Sequence, residues 1–162
     1  NRRKSDFLTE FSHVDIHGSV LCLGSRDGAE VDALRTLGNL AIGVDLAYPP
    51  NSPFVHYGDF HHLPYPNKLF DNVYTNAFDH THSPELLLSE IKRVLKPLGH
   101  FHLRSSIGYD EGLTVGTFEA CRWRTQDELI RLIRVNGLTH YVSKPLGQLY
   151  KNRYTLHLFQ LI

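Results

Sequence analysis

Apolar residues recur along this chain in two alternating rhythms. Ser19-Val20-Leu21-Cys22-Leu23 is a continuous apolar run closed by Gly24. Such a run, with no polar alternation, predicts a strand buried on both faces, as in a parallel sheet. After it Val31, Ala33, Leu34 and Leu37 fall at three- and four-residue steps, one face of a helix. Asp27 is its expected N-cap and Gly38-Asn39 its stop. The same unit follows again. A second buried strand is expected at Leu40–Asp45, then a proline-bearing loop, Tyr48–Pro53, and a short third strand, Phe54–Tyr57, closed by Gly58-Asp59. A second such loop, Leu63–Asn67, leads to a fourth strand at Phe70–Ala77. Ser83 and Pro84 suit the N-cap and first position of a helix whose stripe is Leu86, Leu87, Ile91, Val94 and Leu95, ended by Pro97 and Gly99. Phe101 and Leu103 belong to a fifth strand. Thr125 with Glu128 reads as a capping box opening a helix that runs to Gly137. Two strands, around Leu138–Val142 and Tyr154–Leu161, close the chain. At the other end Asn1–Asp6 is polar and expected to fray, with a short helix marked by Phe7, Leu8 and Phe11.

Strand and helix alternating for about a hundred residues imply βαβ units and a mostly parallel sheet. Right-handed crossovers then wind helices onto both faces, giving an α/β, Rossmann-like three-layer sandwich. Only nine residues, rich in turn formers, separate Ser143 from Arg153. A parallel crossover needs about 10–12 with its helix. The last strand is therefore expected to run antiparallel to its neighbours.

A length of 162 residues suits one domain, with residues 1–17 as an N-terminal extension. Lys+Arg and Asp+Glu both total 17, a balance that disfavours nucleic-acid binding as the role of the whole chain. Cys22 and Cys121 make no disulfide framework or zinc spacing, and no apolar stretch approaches a membrane span. No charged-then-apolar leader is present, so a cytoplasmic protein is expected. The chain starts at Asn1 and contains no methionine, as a processed protein or a fragment would. The segment from Arg122 to Arg153 is locally basic and reads as a solvated helix face with a charge-guarded edge strand.

In a doubly wound sheet ligands bind beyond the carboxyl ends of the strands, where the strand order reverses. Four sets of residues are expected there: Gly24-Ser25-Arg26-Asp27-Gly28 after the first strand, Asp45 after the second, Gly58-Asp59-Phe60 after the third, and Asn76-Ala77-Phe78-Asp79-His80 after the fourth. Glycines allow close backbone approach, and a carboxylate about twenty residues beyond Gly24 can accept vicinal ribose hydroxyls. An acid beside an aromatic face suits an adenine amine and ring. Eleven histidines invite a metal, but no zincin-type His pair and no Cys at a zinc spacing is present, and no metal is expected.

These residues resemble a family. Val20–Gly28 looks like the first motif of class I S-adenosylmethionine-dependent methyltransferases, and Asp45 and Asp59 match the acids ending their second and third strands. Leu63-Pro64-Tyr65, Phe70–Asn76, Asp79-His80, Ser83-Pro84-Glu85 and Glu90–Gly99 follow in the order and spacing of the small-molecule, type 11 branch. The resemblance implies an antiparallel final strand, as deduced above. It also implies S-adenosylmethionine as cofactor, with S-adenosylhomocysteine as product. Gly24, Ser25, Arg26, Asp27, Gly28, Asp45, Leu46, Gly58, Asp59, Phe60, Asn76 and Ala77 would lie around that cofactor. His80 is the candidate base, followed by His82, and Arg104, Ser105, Ser106 and Tyr109 would line the pocket of a small-molecule acceptor. Gly108–Gly116 reads as a mobile loop over the site. Three positions depart from the family: it usually has an acid at Cys22, a glycine at Arg26 and a small residue at Asp27. The alternatives are therefore a degenerate, non-catalytic binding module, or a nicotinamide-dependent oxidoreductase. The second expects a G-x-G-x-x-G loop that residues 24–29 do not supply, and a parallel last strand.

Overall fold

The computed structural model describes residues 2–47, 52–114, 116–117, 119–147, 151 and 153–162. Helices α1 (Arg2–Phe11), α2 (Ala29–Thr36), α3 (Pro84–Val94) and α4 (Gln126–Val135) flank strands β1 (Ser19–Leu23), β2 (Leu40–Asp45), β3 (Val55–Tyr57), β4 (Phe70–Thr75), β5 (Leu95–Ser106), β6 (Thr139–Pro145) and β7 (Tyr154–Gln160). The strands form one sheet ordered β3-β2-β1-β4-β5-β7-β6. Five are parallel, and β7 runs antiparallel to both β5 and β6. The short connection before β7 thus has the consequence expected of it.

Strand β1 shows why its run is continuous. Side chains alternate across a strand, so Val20 and Cys22 pack on the α1–α2 side with Phe7, Val31 and Leu34, while Leu21 and Leu23 pack on the α3–α4 side with Leu87, Ile91 and Leu129. Neither face reaches water. Tyr74 of β4 stands on the first side, where Phe7 and Phe11 meet its ring edge-on at 6.3 and 5.0 Å.

The N-terminus does not fray at Arg2–Asp6. Those residues form the first half of α1, which Phe7 and Phe11, both buried, dock against Tyr74. Glu10 locks it further: Tyr74 donates to its carboxylate at 2.9 Å, and Arg104 of β5 pairs with it at 3.0 Å.

Several boundaries shift. The N-cap of α2 is Gly28 at φ 73°, not Asp27, and Leu37 lies just beyond the helix, exposed. Phe54 precedes β3, and Asn76 and Ala77 lie beyond β4. Helix α3 ends at Val94 because Leu95 already pairs with Phe70 as sheet, ahead of Pro97 and Gly99. Thr125 accepts from the Glu128 N–H, but Glu128 returns its carboxylate to the N–H of Arg124, so only half of the expected box forms. The expected mobile loop contains a short 3-10 turn, Tyr109–Glu111, fastened by main-chain bonds to Trp123 and Arg124. The expected loop at Tyr48–Asn51 lies outside the described residues. Strand β6, mostly exposed, is one edge of the sheet, and β3 is the other.

Candidate functional site

The strand order reverses between β1 and β4, so the loops leaving β1, β2, β3 and β4 open onto one rim. A cleft of about 430 Å³ lies there, lined by eight of the thirteen residues expected at the site: Gly24, Arg26, Asp45, Leu46, Phe60, Asn76, Ala77 and His80. That volume suits a nucleoside-sized ligand, since small-molecule pockets run about 300–1,000 Å³.

The loop after β1 is wound tightly. Gly24, Arg26 and Gly28 all have positive φ, at 72°, 49° and 73°. The N–H groups of Gly24 and Ser25 both donate to the carbonyl of Val44, and that of Gly28 to Ser25. A side chain at Gly24 would place its Cβ 2.5 Å from that of Ala77, so the β1 and β4 loops meet this closely only because residue 24 is glycine. Arg26 holds the same left-handed conformation with a full side chain, a cost of roughly 1–2 kcal/mol for an L-residue. Its N–H donates to Oδ2 of Asp45 at 2.6 Å, while Ala47 donates to Oδ1 at 2.6 Å. Each carboxylate oxygen has one main-chain donor and keeps accepting capacity for another.

Asp59 stands beside Phe60, whose ring faces the cleft. Its Oδ1 accepts from the N–H and from Nδ1 of His61, both at 2.8 Å, and Oδ2 has the His62 ring 3.8 Å away. Burial acts to raise this carboxyl, but those bonds and the two rings hold it below the usual aspartate range. His80 is half exposed, 3.8 Å from the Asp79 carboxylate, and burial pushes the Asp79 carboxyl up.

Five expected residues do not line the cleft. Ser25 is buried and donates to the carbonyl of Cys22. Gly28 caps α2 beside Val55, and Gly58 sits against Val44, where a Cβ would come within 3.2 Å. Asp27 is paired with Arg3 at 2.5 Å, and the Oδ1 of Asp59 is taken up by His61. On the acceptor side, Arg104 turns to Glu10 with its guanidinium 4.8 Å over Phe7, and Ser105 is buried against His157 at 2.9 Å. Neither faces an acceptor. Ser106 and Tyr109 do share a small cavity, about 10 Å³, with Asp79, Cys121 and Trp123.

Sequence reasoning missed Arg3, which lines the cleft from α1. A signal was present, because Arg3, Phe7 and Phe11 lie four apart and share one helix face. It also missed the amide of Ala47 on Asp45.

Other chemistries find little support. Burial raises both thiols, Cys121 to about 11, so neither is an activated nucleophile. Asp59, His61 and His82 form the one candidate metal group among the described residues, their ligand atoms within 4.8 Å. Both ring nitrogens of His61 are already hydrogen-bonded, to Asp59 and Thr81, and its ring stacks on His82 at 3.9 Å and 30°. His100 meets His102 edge-on, away from the rim, and His102, held near pKa 3 by burial, bonds Asn72. The antiparallel β7 removes the parallel last strand that an oxidoreductase of the dinucleotide-binding fold would require.

Residues 21–103 match the family described as "Methyltransferase domain". No curated protein sequence matches the chain. Among solved structures, a putative methyltransferase of Haloferax volcanii, in complex with the Trm112 methyltransferase activator, superposes with a TM-score of 0.77 at 20% identity, covering 98% of this chain and 90% of that one. The 1,6-didemethyltoxoflavin-N1-methyltransferase of Burkholderia thailandensis, with bound 1,6-didemethyltoxoflavin and S-adenosylhomocysteine, gives 0.79 at 19%, covering 98% and 77%. A possible histamine N-methyltransferase of Thermotoga maritima gives 0.77 at 16%, covering 98% and 89%. At these identities the likeness is one of fold, and the family match carries the assignment. The switch-point cleft, the acid ending β2 and the antiparallel β7 agree with it: the chain belongs to the methyltransferase-domain family, whose methyl donor is S-adenosylmethionine.

Proposed function

We propose that this chain transfers a methyl group from S-adenosylmethionine to a small-molecule acceptor, within one domain spanning residues 1–162. The observation that carries the reading is the sharing of one cleft by Gly24, Asp45, Phe60 and Asn76, four residues from four different strand ends. The donor set fits the group. Asp45 keeps one accepting site on each oxygen for the two ribose hydroxyls, and Oδ2 of Asp59 is the oxygen left for the adenine amine. Leu46 and Phe60 supply apolar surface for the base, and Arg26 and Arg3 lie at the rim for the cofactor carboxylate.

When bound, S-adenosylmethionine supplies a methyl on a sulfonium sulfur, already activated for transfer. The protein's task is then alignment of the acceptor and exclusion of water. His80, at the cleft wall beside Asp79, is the group placed to take a proton from an acceptor that must lose one. Ser106, Tyr109 and Asp79 lie on the acceptor side, and nucleic acid is not the expected substrate. A cytoplasmic location belongs to this reading, supported by two free cysteines; no helix among the described residues is long and apolar enough to cross a membrane.

The test is transfer of tritium from [methyl-³H]S-adenosylmethionine to a fractionated metabolite extract. Label in a small organic fraction supports the reading. Cofactor binding without transfer to any fraction would favour a non-catalytic module, the reading prompted by Arg26 in a position usually held by glycine.

A further inference from the structure

His61 lies in the loop between β3 and β4, almost wholly buried, between two groups from different parts of the chain. Its Nδ1 is 2.8 Å from Oδ1 of Asp59, and its Nε2 is 2.6 Å from Oγ1 of Thr81, in the segment after β4. The hydrogens can be assigned from these partners. The Asp59 carboxylate can only accept, so Nδ1 carries the hydrogen, and in the neutral ring Nε2 then accepts the Thr81 hydroxyl. The ring is then the Nδ1–H tautomer and donates to Asp59. The main-chain N–H of His61 donates to that same Oδ1, at 2.8 Å. One oxygen of Asp59 therefore takes both donors, while Oδ2 takes neither and has the His62 ring 3.8 Å away. The His82 ring, stacked 3.9 Å away, covers the outer face of His61.

We propose that His61 is a positioning residue: by filling Oδ1 of Asp59 from two sides it fixes Oδ2 as the atom offered to the exocyclic amine, and so sets the preference for adenine. This rests on the role given to Asp59 above. Through Thr81 the same ring joins the carboxylate to the segment that carries His80, so the base pocket and the acceptor side share one hydrogen-bonded link.

The experiment compares calorimetric affinities for S-adenosylhomocysteine and for its analogue in which unsubstituted purine replaces adenine, lacking only the 6-amino group. The wild type should prefer the adenine ligand by about tenfold, the value of one hydrogen bond to a charged acceptor. His61→Ala should abolish most of that preference while changing affinity for the purine analogue less than about twofold. His61→Asn, whose amide nitrogen can stand in for Nδ1, should retain it, and His61→Gln, whose amide reaches toward Thr81 instead, should not. The Asn and Gln pair decides the matter alone if His61→Ala does not fold. Equal weakening toward both ligands, or an unchanged preference in the Ala and Gln variants, overturns the proposal. Asp59→Ala separates the two levels. A preference that survives Asp59→Ala removes the adenine role of Asp59 itself. One lost in Asp59→Ala but intact in the His61 variants removes only the role of His61.

Discussion

The main-chain N–H of Arg26 lies 2.6 Å from Oδ2 of Asp45, so the turn after β1 is pinned to the carboxylate that ends β2. The bond joins the two parts of the cleft on which the proposed cofactor site depends. It also holds Arg26 at φ 49°, a conformation that an L-residue adopts at a cost.

Arg26→Gly should therefore stabilise the protein. Relief of the left-handed strain outweighs the added freedom of the unfolded chain, for a net gain of about 0.5–1 kcal/mol, because the exposed side chain contributes little packing. Arg26→Ala keeps the strain and should be near neutral. Urea midpoints of the two variants check this, and a midpoint for Arg26→Gly below wild type would contradict it.

Gly24→Ala tests the contact between the β1 and β4 loops. The new Cβ would lie 2.5 Å from that of Ala77 and sit at φ 72°. The variant should lose roughly 2–3 kcal/mol by chemical denaturation, from overpacking and backbone strain together. Restoring room with Ala77→Gly should recover the packing share only.

Glu30 gives the fold a pH dependence of known sign. It is 1% exposed, one carboxylate oxygen has no hydrogen-bond partner, and burial raises its pKa to about 7, only partly offset by its own main-chain bond and by Arg3. A carboxyl whose folded pKa lies above its unfolded value stabilises the fold while protonated. That contribution is present below the unfolded pKa near 4.5 and is lost as pH rises through about 7. Glu30→Gln should flatten this loss and be the more stable form at pH 8, by up to about 3 kcal/mol. Denaturation at pH 5 and pH 8 would show it. A larger advantage for Glu30→Gln at pH 5 would reverse the sign and refute the assignment.

Glu10 anchors α1, and with it Arg3 at the cleft. Its carboxylate is fully buried between Tyr74 and Arg104. Glu10→Ala leaves the Arg104 guanidinium without this charge partner and should cost about 3–5 kcal/mol. The double variant Glu10→Ala/Arg104→Met should recover much of it, which thermal unfolding can read.

Legibility in the sequence followed the range of the interaction. The strand at Ser19–Leu23 could be read because burial on both faces writes itself as an unbroken run, and the antiparallel β7 because a short loop forbids a crossover. Asp45 could be placed because it ends a strand at a recognisable distance from Gly24. The failures involve partners far apart in sequence. Leu95 looked helical by period, but its pairing with Phe70 draws it into the sheet. Arg104 pointed to an acceptor pocket until Glu10, ninety-four residues away, claimed it. The bridge from His61 to Thr81 spans twenty residues, and no local period reports it.

Isothermal titration of S-adenosylhomocysteine into the wild type and into Asp45→Ala tests the central claim most directly. The wild type should bind, and the variant should bind at least tenfold more weakly, from the loss of hydrogen bonds to a charged acceptor at about 1.5–3 kcal/mol each. Equal affinities, or no binding by the wild type, would contradict a cofactor cleft built around Asp45.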